Sequence, residues 1–222
     1  WRRTSTRSAP PVLQRVSLGN SMFDRAVSQL IQPVVTQLAR AVARAGMRAD
    51  QVTLTGFTIG VLAAFLIATG ENLAGLAAIV ISRMCDALDG AVARQTAPAD
   101  AGGFLDIALD FVFYASIPLA FAVQDPARNA LPAAVLLASF VGTGSSFLAF
   151  AAIAAKRGLR SLDFPNKSIY FLGGLTEATE TLACFAAMCI FPDLFIELAY
   201  GFALLCVITT VTRVWWGWRA FQ

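Results

Sequence analysis

The chain has 222 residues, of which 57% are hydrophobic and 14% charged, with a net charge of +3 and a mean hydropathy of +0.66. Soluble globular domains carry about 45–50% apolar and about 25% charged residues, so this composition excludes a soluble domain, a disordered chain and a nucleic-acid-binding module. The apolar residues fall in long runs poor in charge, each able to cross a hydrocarbon core of about 30 Å, which predicts an all-α polytopic membrane protein.

Residues 1–20 are basic and rich in Ser, Thr and Pro, as expected of a flexible N-terminal segment. Over residues 21–48, Phe23, Val27, Leu30, Ile31, Val34, Leu38, Ala41 and Val42 share one helical face, with Arg25, Arg40 and Arg44 off it and Pro33 as a kink. This predicts an interfacial amphipathic helix on the cytoplasmic leaflet. Residues 49–222 form the transmembrane domain, with six spans expected near 52–70, 73–94, 104–123, 131–155, 169–191 and 194–216. Turn chemistry separates them: Gly70-Glu71-Asn72, Ala97-Pro98, Gln124-Asp125-Pro126, the stretch from Gly158 to Asn166, and Pro192-Asp193. Cys85, Cys184, Cys189 and Cys206 all fall inside spans without metal-type spacing and read as small buried hydrophobes.

The basic residues set the orientation. Eight arginines, Arg2 to Arg48, precede the first span. Lys156, Arg157, Arg160 and Lys167 share the loop between spans four and five, and Arg213 and Arg219 close the chain. On the opposite side only Arg128 is basic. The positive-inside rule therefore puts both termini in the cytoplasm. Trp215, Trp216 and Trp218 form an interfacial belt.

Carboxylates at bilayer depth are costly and mark function. Asp86 and Asp89 stand late in the second span, Asp106 and Asp110 early in the third. Spacings of three and four residues put each pair on one helix face, and a short turn around Pro98 makes the two spans antiparallel so that these faces can meet. Four carboxylates in one cleft need positive charge to stay ionised. Ion pairs with Arg83 and Arg94 are the bland explanation, but two arginines cannot neutralise four aspartates. The chain contains no histidine, and oxygen-only ligands suit a hard cation, magnesium first and calcium or manganese after it.

The intervening residues narrow the chemistry. From Asp86 the sequence reads Asp-Ala-Leu-Asp-Gly-Ala-Val-Ala-Arg to Arg94, then Gly-Gly-Phe-Leu-Asp-Ile-Ala-Leu-Asp from Gly102 to Asp110. This closely resembles the D-x2-D-G-x2-A-R-x8-G-x3-D-x3-D motif of the CDP-alcohol phosphotransferase family. Asp86, Asp89, Gly90, Ala93, Arg94, Gly102, Asp106 and Asp110 match, with seven residues rather than eight between Arg94 and Gly102. Of the Pro-Asn-x-x-Thr that often precedes the first span in the family, only Thr53 is kept.

The resemblance implies an enzyme of phospholipid synthesis that moves a phosphoalcohol group, such as phosphatidyl from CDP-diacylglycerol, to an alcohol acceptor and releases CMP. It further implies that Asp86, Asp89, Asp106 and Asp110 hold two Mg2+ or Mn2+ ions, with Asp110 as the base. Asp86, Asp89, Gly90, Ala93, Arg94, Gly102 and Thr53 would contact the nucleotide. A homodimer with its site facing the cytoplasm is expected, with membrane lipids as partners and no nucleic acid. For the acceptor the candidates are Glu177 and Glu180, at helical spacing in span five, with Arg157 and Lys167. The bland reading of these basic residues is topology and anionic-lipid contact, and small residues such as Gly90, Ala93 and Gly102 commonly serve helix packing. The rival readings are a divalent-cation transporter using the aspartates, and a family member without turnover.

Overall fold

The computed structural model describes residues 49–93, 100–158 and 176–222, together with Gln37 and Ala39. Among these residues the secondary structure is helical throughout, without strands. The helices are α1 (Ala49–Ala68), α2 (Asn72–Ala93), α3 (Asp100–Gln124), α4 (Pro126–Lys156), α5 (Ala178–Ile190) and α6 (Phe195–Phe221), with a 3-10 turn at Pro192–Leu194. The amphipathic helix expected over 21–48 lies outside the described residues, apart from helical Gln37 and Ala39, the latter fully buried against Ala91 and Val92.

Among the described residues, four segments are long and apolar enough to cross a membrane: α1, α3, α4, and the 3-10 turn continued by α6. The large apolar side chains left exposed, such as Phe65, Leu73, Val141 and Val211, are those a lipid-facing surface requires, because lipid tails exert no hydrophobic penalty on them. The protein is an integral membrane protein. Helix α2 has 22 residues but carries Arg83, Asp86 and Asp89 in its second half, which lowers its apolarity. The continuous span expected over 169–191 is not found. Thr176 and Glu177 are not helical, and α5 runs only 13 residues from Ala178. The physical reason is a cap: Glu177 is extended at φ −104° and ψ −173°, and it closes a reciprocal capping box with Glu180.

The turns follow from local chemistry. Gly70 adopts φ +92° after α1, a conformation that glycine reaches without a Cβ penalty. The Gly70 N–H donates to the Ile67 carbonyl and the Glu71 N–H to that of Leu66, each at 2.9 Å, which is the Schellman closure of a helix end. At the α3–α4 turn, Asp125 accepts from the Arg128 N–H at 3.2 Å, and Pro126 occupies the first helical turn. Buried Asn129 donates to the Phe121 carbonyl at 3.0 Å, which also accepts from the Asp125 N–H at 3.3 Å, so the start of α4 is tied to the end of α3.

Packing centres on α1. It seats both α2 and α3, which have little direct backbone contact with each other; α3 continues onto α4, and α4 packs along α6. Two glycines at four-residue spacing make this possible. A Cβ on Gly56 would stand 2.8 Å from the Cys85 Cβ and 3.3 Å from the Ser82 carbonyl of α2. One on Gly60 would stand 2.7 Å from the Phe113 ring of α3. Close approach through small residues is how helices associate in lipid. Further along, Phe113, Ile117, Phe121, Phe185, Met188 and Phe195 form the buried core, with Phe121 stacked on Phe195 at 4.7 Å between centroids.

Gly56→Val should therefore force α1 away from α2 and cost about 1–3 kcal/mol of stability. Gly201→Val, at a site with nothing within 4 Å, should leave stability within about 0.5 kcal/mol. Thermal unfolding of the two variants in the same detergent measures the difference.

Candidate functional site

The site is built on the stretch of α1 that separates α2 from α3. On α2, Ser82, Arg83, Asp86 and Asp89 recur at helical spacing, and on α3 Gly102, Asp106, Asp110 and Phe113 do the same. One carboxylate oxygen each from Asp86, Asp106 and Asp110 lies within 4.8 Å of the others. Thr53, Gly56 and Phe57 from α1, Ser82 from α2 and Leu109 from α3 complete the walls of the pocket they face.

Asp89 stands apart from this trio. It is buried at 4% exposure, and the Thr53 hydroxyl lies 2.5 Å from its Oδ2. The same hydroxyl is 3.1 Å from the Ala49 carbonyl. A hydroxyl has one proton, and the closer, charged acceptor takes it. Thr53, expected at the nucleotide, thus binds α1 to α2 through an acidic motif residue.

Among the described residues, Arg83 is the cation of the pocket. Its Nη1 donates to Asp110 Oδ1 at 2.6 Å and lies 3.8 Å from Asp86 Oδ2. The guanidinium rests 4.0 Å above the Phe113 ring centroid, a cation–π geometry, with Tyr114 at 5.8 Å. Its Nη2 is 3.4 Å from the Ser82 hydroxyl, which itself donates to the Gly56 carbonyl at 2.7 Å. The ion pair weighed as the bland explanation thus exists for Arg83, but it engages one oxygen of one aspartate tightly and leaves a three-carboxylate cluster. Three oxygens within 4.8 Å, with no sulfur or imidazole among the grouped side chains, fit a single hard divalent cation at its usual bond lengths of about 2.0–2.6 Å.

The motif glycines behave differently from one another. Gly90 is buried at the end of α2. Gly102 faces α1, where an added Cβ would meet Asp50 Oδ1 at 3.0 Å. Ala93 is the last residue of α2, while Arg94 and Lys167 lie outside the described residues.

Among the described acceptor candidates, Glu177, Glu180 and Arg157 do not line this pocket. Glu180 accepts from the Glu177 backbone N–H at 3.1 Å, completing the cap of α5. Arg157 follows the end of α4, donates to the Phe221 carbonyl and lies 5.2 Å from that ring's centroid, tying α4 to the end of α6. Two arginines carry more than the sequence reading gave them. Arg83 served there only as a counter-ion, and Arg213 only as a topology charge. Arg213 is half-buried, donates to the Thr143 carbonyl at 3.2 Å and interacts electrostatically with Glu177. The signal for both was available: an arginine inside an apolar run is costly and needs a purpose.

The CDP-alcohol phosphatidyltransferase family profile matches residues 47–216. This chain belongs to that family. It is 49% identical over 201 residues to the inner membrane protein YnjF of Escherichia coli K12, covering 90% of this chain and 98% of that one. It is 41% identical over 91 residues to the archaetidylinositol phosphate synthase of Methanothermobacter thermautotrophicus, covering 40% and 43%. The fold matches the crystal structure of Mycobacterium tuberculosis phosphatidylinositol phosphate synthase (PgsA1) with CDP-DAG bound, at TM-score 0.62 and 23% identity, over 84% of this chain and 94% of that one. A structure of the same protein with manganese and citrate matches at TM-score 0.62 and 22% identity, over 83% and 88%. The matched segment contains α1 to α5 and most of α6, and the family is one of phospholipid-synthesis transferases.

If the Thr53 hydroxyl is what satisfies buried Asp89, Thr53→Val should destabilise this family member by about 1–3 kcal/mol, and Thr53→Ser should restore most of the loss. Thermal unfolding of the three proteins decides it.

Proposed function

We propose that this chain transfers a phosphatidyl group from CDP-diacylglycerol to an alcohol acceptor and releases CMP. The observation that carries the reading is the convergence of Asp86, Asp106 and Asp110 within 4.8 Å inside the family's matched segment. The donor is supported by the PgsA1 structure with CDP-DAG bound. An acceptor bearing a hydroxyl and a phosphate is supported by the names of two relatives, both archaetidylinositol phosphate synthases.

In this reading Asp86, Asp106 and Asp110 hold a divalent cation, magnesium or manganese, and Asp89 is the fourth acidic residue of a site for two ions. Such ions, when bound, neutralise the diphosphate and the phosphate of the departing CMP. The protein supplies the rest. Asp110 takes the proton of the acceptor hydroxyl, whose oxygen forms a new bond to the donor's lipid-linked phosphorus as the bond from that phosphorus to CMP breaks. The lack of a side chain at Gly90 and Gly102 lets the nucleotide approach the helix backbones, with Ala93 and Arg94 beside it. The site and both termini face the cytoplasm by the distribution of basic residues, so water-soluble CMP leaves on that side while the lipid tails stay in the bilayer. Arg213, with Glu177 near it, is the polar feature of α6 best suited to an anionic acceptor. Glu180, Arg157 and Lys167 remain acceptor candidates, and the enzyme works as a homodimer.

Purified protein given radiolabelled CDP-diacylglycerol, magnesium and a panel of alcohols (inositol phosphate, glycerol phosphate, inositol, serine) should release CMP with one of them. Asp86→Asn, Asp106→Asn and Asp110→Asn should each reduce the rate by at least about 100-fold, and a chelator should abolish it until magnesium or manganese is restored. Metal crossing liposomes, with no donor turned over by any acceptor, would sink the reading in favour of a transporter.

Glu180→Gln keeps an oxygen able to accept from the Glu177 N–H, so the α5 cap should survive. If the Glu180 charge contacts the acceptor, that variant should raise the acceptor KM several-fold with an unchanged melting temperature; an unchanged KM assigns Glu180 to the cap alone.

A further inference from the structure

Arg83 stands out among the charged groups of the pocket because its position is that of a competitor. Nη1 lies between two of the three metal-competent carboxylates, 2.6 Å from Asp110 Oδ1 and 3.8 Å from Asp86 Oδ2. It therefore fills, with a single positive charge, part of the space in which a divalent cation would be shared. The guanidinium cannot discharge itself by losing a proton, because arginine stays protonated throughout the physiological pH range. It is a permanent cation built into the wall of a cation site.

The way Arg83 is held points the same way. A buried arginine that serves structure uses most of its five N–H donors, because buried polar groups left unpaired are costly. Arg83, 14% exposed, makes one short charged bond, to Asp110, and one long contact of 3.4 Å, to Ser82. Its Nε is buried with no hydrogen-bond partner. The support beneath it is the Phe113 ring face at 4.0 Å, a contact without the directional grip of a hydrogen bond. Such a guanidinium is held chiefly by Asp110 at its tip, with little directional grip elsewhere to keep it there once that carboxylate is taken up.

We propose that Arg83 is a tethered counter-cation that holds Asp110 and Asp86 while the cluster lacks metal and is driven off Asp110 as a divalent cation binds, thereby setting the metal affinity of the site. This rests on the reading of the cluster as a divalent-metal centre. Two consequences follow by linkage, since whatever Arg83 costs the metal, the metal costs Arg83. In the empty site the arginine stabilises helices α2 and α3 against mutual repulsion of their carboxylates. In the loaded site it is a nearby like charge, and Asp110 is freed for its proton. The opposite role, an arginine that orients Asp110 for the metal, makes the opposite prediction for its removal.

The experiment uses the full chain in detergent, stripped with chelator and titrated with Mn2+, with free Mn2+ followed by electron paramagnetic resonance. Arg83→Met should bind Mn2+ at least about tenfold more tightly than the parent, the effect of removing about 1.4 kcal/mol of competition, while Arg83→Lys, which keeps the charge, should stay within about threefold. In chelator the Arg83→Met protein should melt below the parent, and saturating Mn2+ should close the gap. Arg83→Gln, which keeps N–H donors without the charge, repeats the test should the methionine variant misfold, and should also tighten binding. Unchanged or weaker Mn2+ affinity in a cooperatively melting Arg83→Met or Arg83→Gln protein overturns the inference alone. No Mn2+ binding by either the parent or these variants overturns the metal-centre reading and the inference with it.

Discussion

Everything about this site descends from the cost of putting like charges close together where water is scarce. Two unit charges 4.8 Å apart would repel by about 3–4 kcal/mol at an effective dielectric constant near 20, and Asp86, Asp106 and Asp110 each bring an oxygen within that distance of the others. A helix bundle in lipid has little surplus stability to spend on that repulsion. Among the described residues, Arg83 eases that repulsion by entering the cluster from α2, and Asp89 lies outside the trio with the Thr53 hydroxyl on its Oδ2. The motif therefore divides into a converging trio and a buried fourth carboxylate that fastens α1 to α2.

Helix α1 is what makes convergence possible without collapse. Its glycine edge, Gly56 and Gly60, admits α2 and α3 to van der Waals distance on the two sides, and the gap left between those helices is the pocket. The neighbouring residues of α1 then become its wall. Packing and site are thus a single device: the small residues that give lipid-embedded helices their close contact also set the spacing at which the carboxylates face one another. Aromatic residues do similar double work, since Phe113 belongs to the buried core and carries the Arg83 guanidinium on its ring.

Much of this was legible in the order of residues. Asp86, Asp89, Asp106 and Asp110 announce themselves because a carboxylate inside an apolar run has no cheap explanation, and their three- and four-residue spacings phase them on helix faces wherever those helices go. The turn at Gly70 and the cap at Asp125-Pro126 are equally local. The limits show at Glu177 and Glu180. Their three-residue spacing reads as one face of a long helix, yet it is also the spacing of a capping box, and the backbone ends the helix there. Periodicity alone does not distinguish a helix interior from its first turn.

By itself, then, the sequence determined the solvent this protein lives in, its all-helical class, and the two acidic faces of its family's chemistry. Hydropathy, helical period and motif spacing are properties of residues close together in the chain, and need no knowledge of the fold. Only the tertiary structure decided that the backbones of α2 and α3 both seat on α1 and meet each other through side chains. It likewise decided that Thr53 belongs to Asp89, and that Arg83 lies between Asp86 and Asp110 on the face of Phe113. Those partners are separated by up to 36 residues, and which of them touch depends on how the helices rotate and approach, a choice made by the glycine seam and by the need to compensate buried charge.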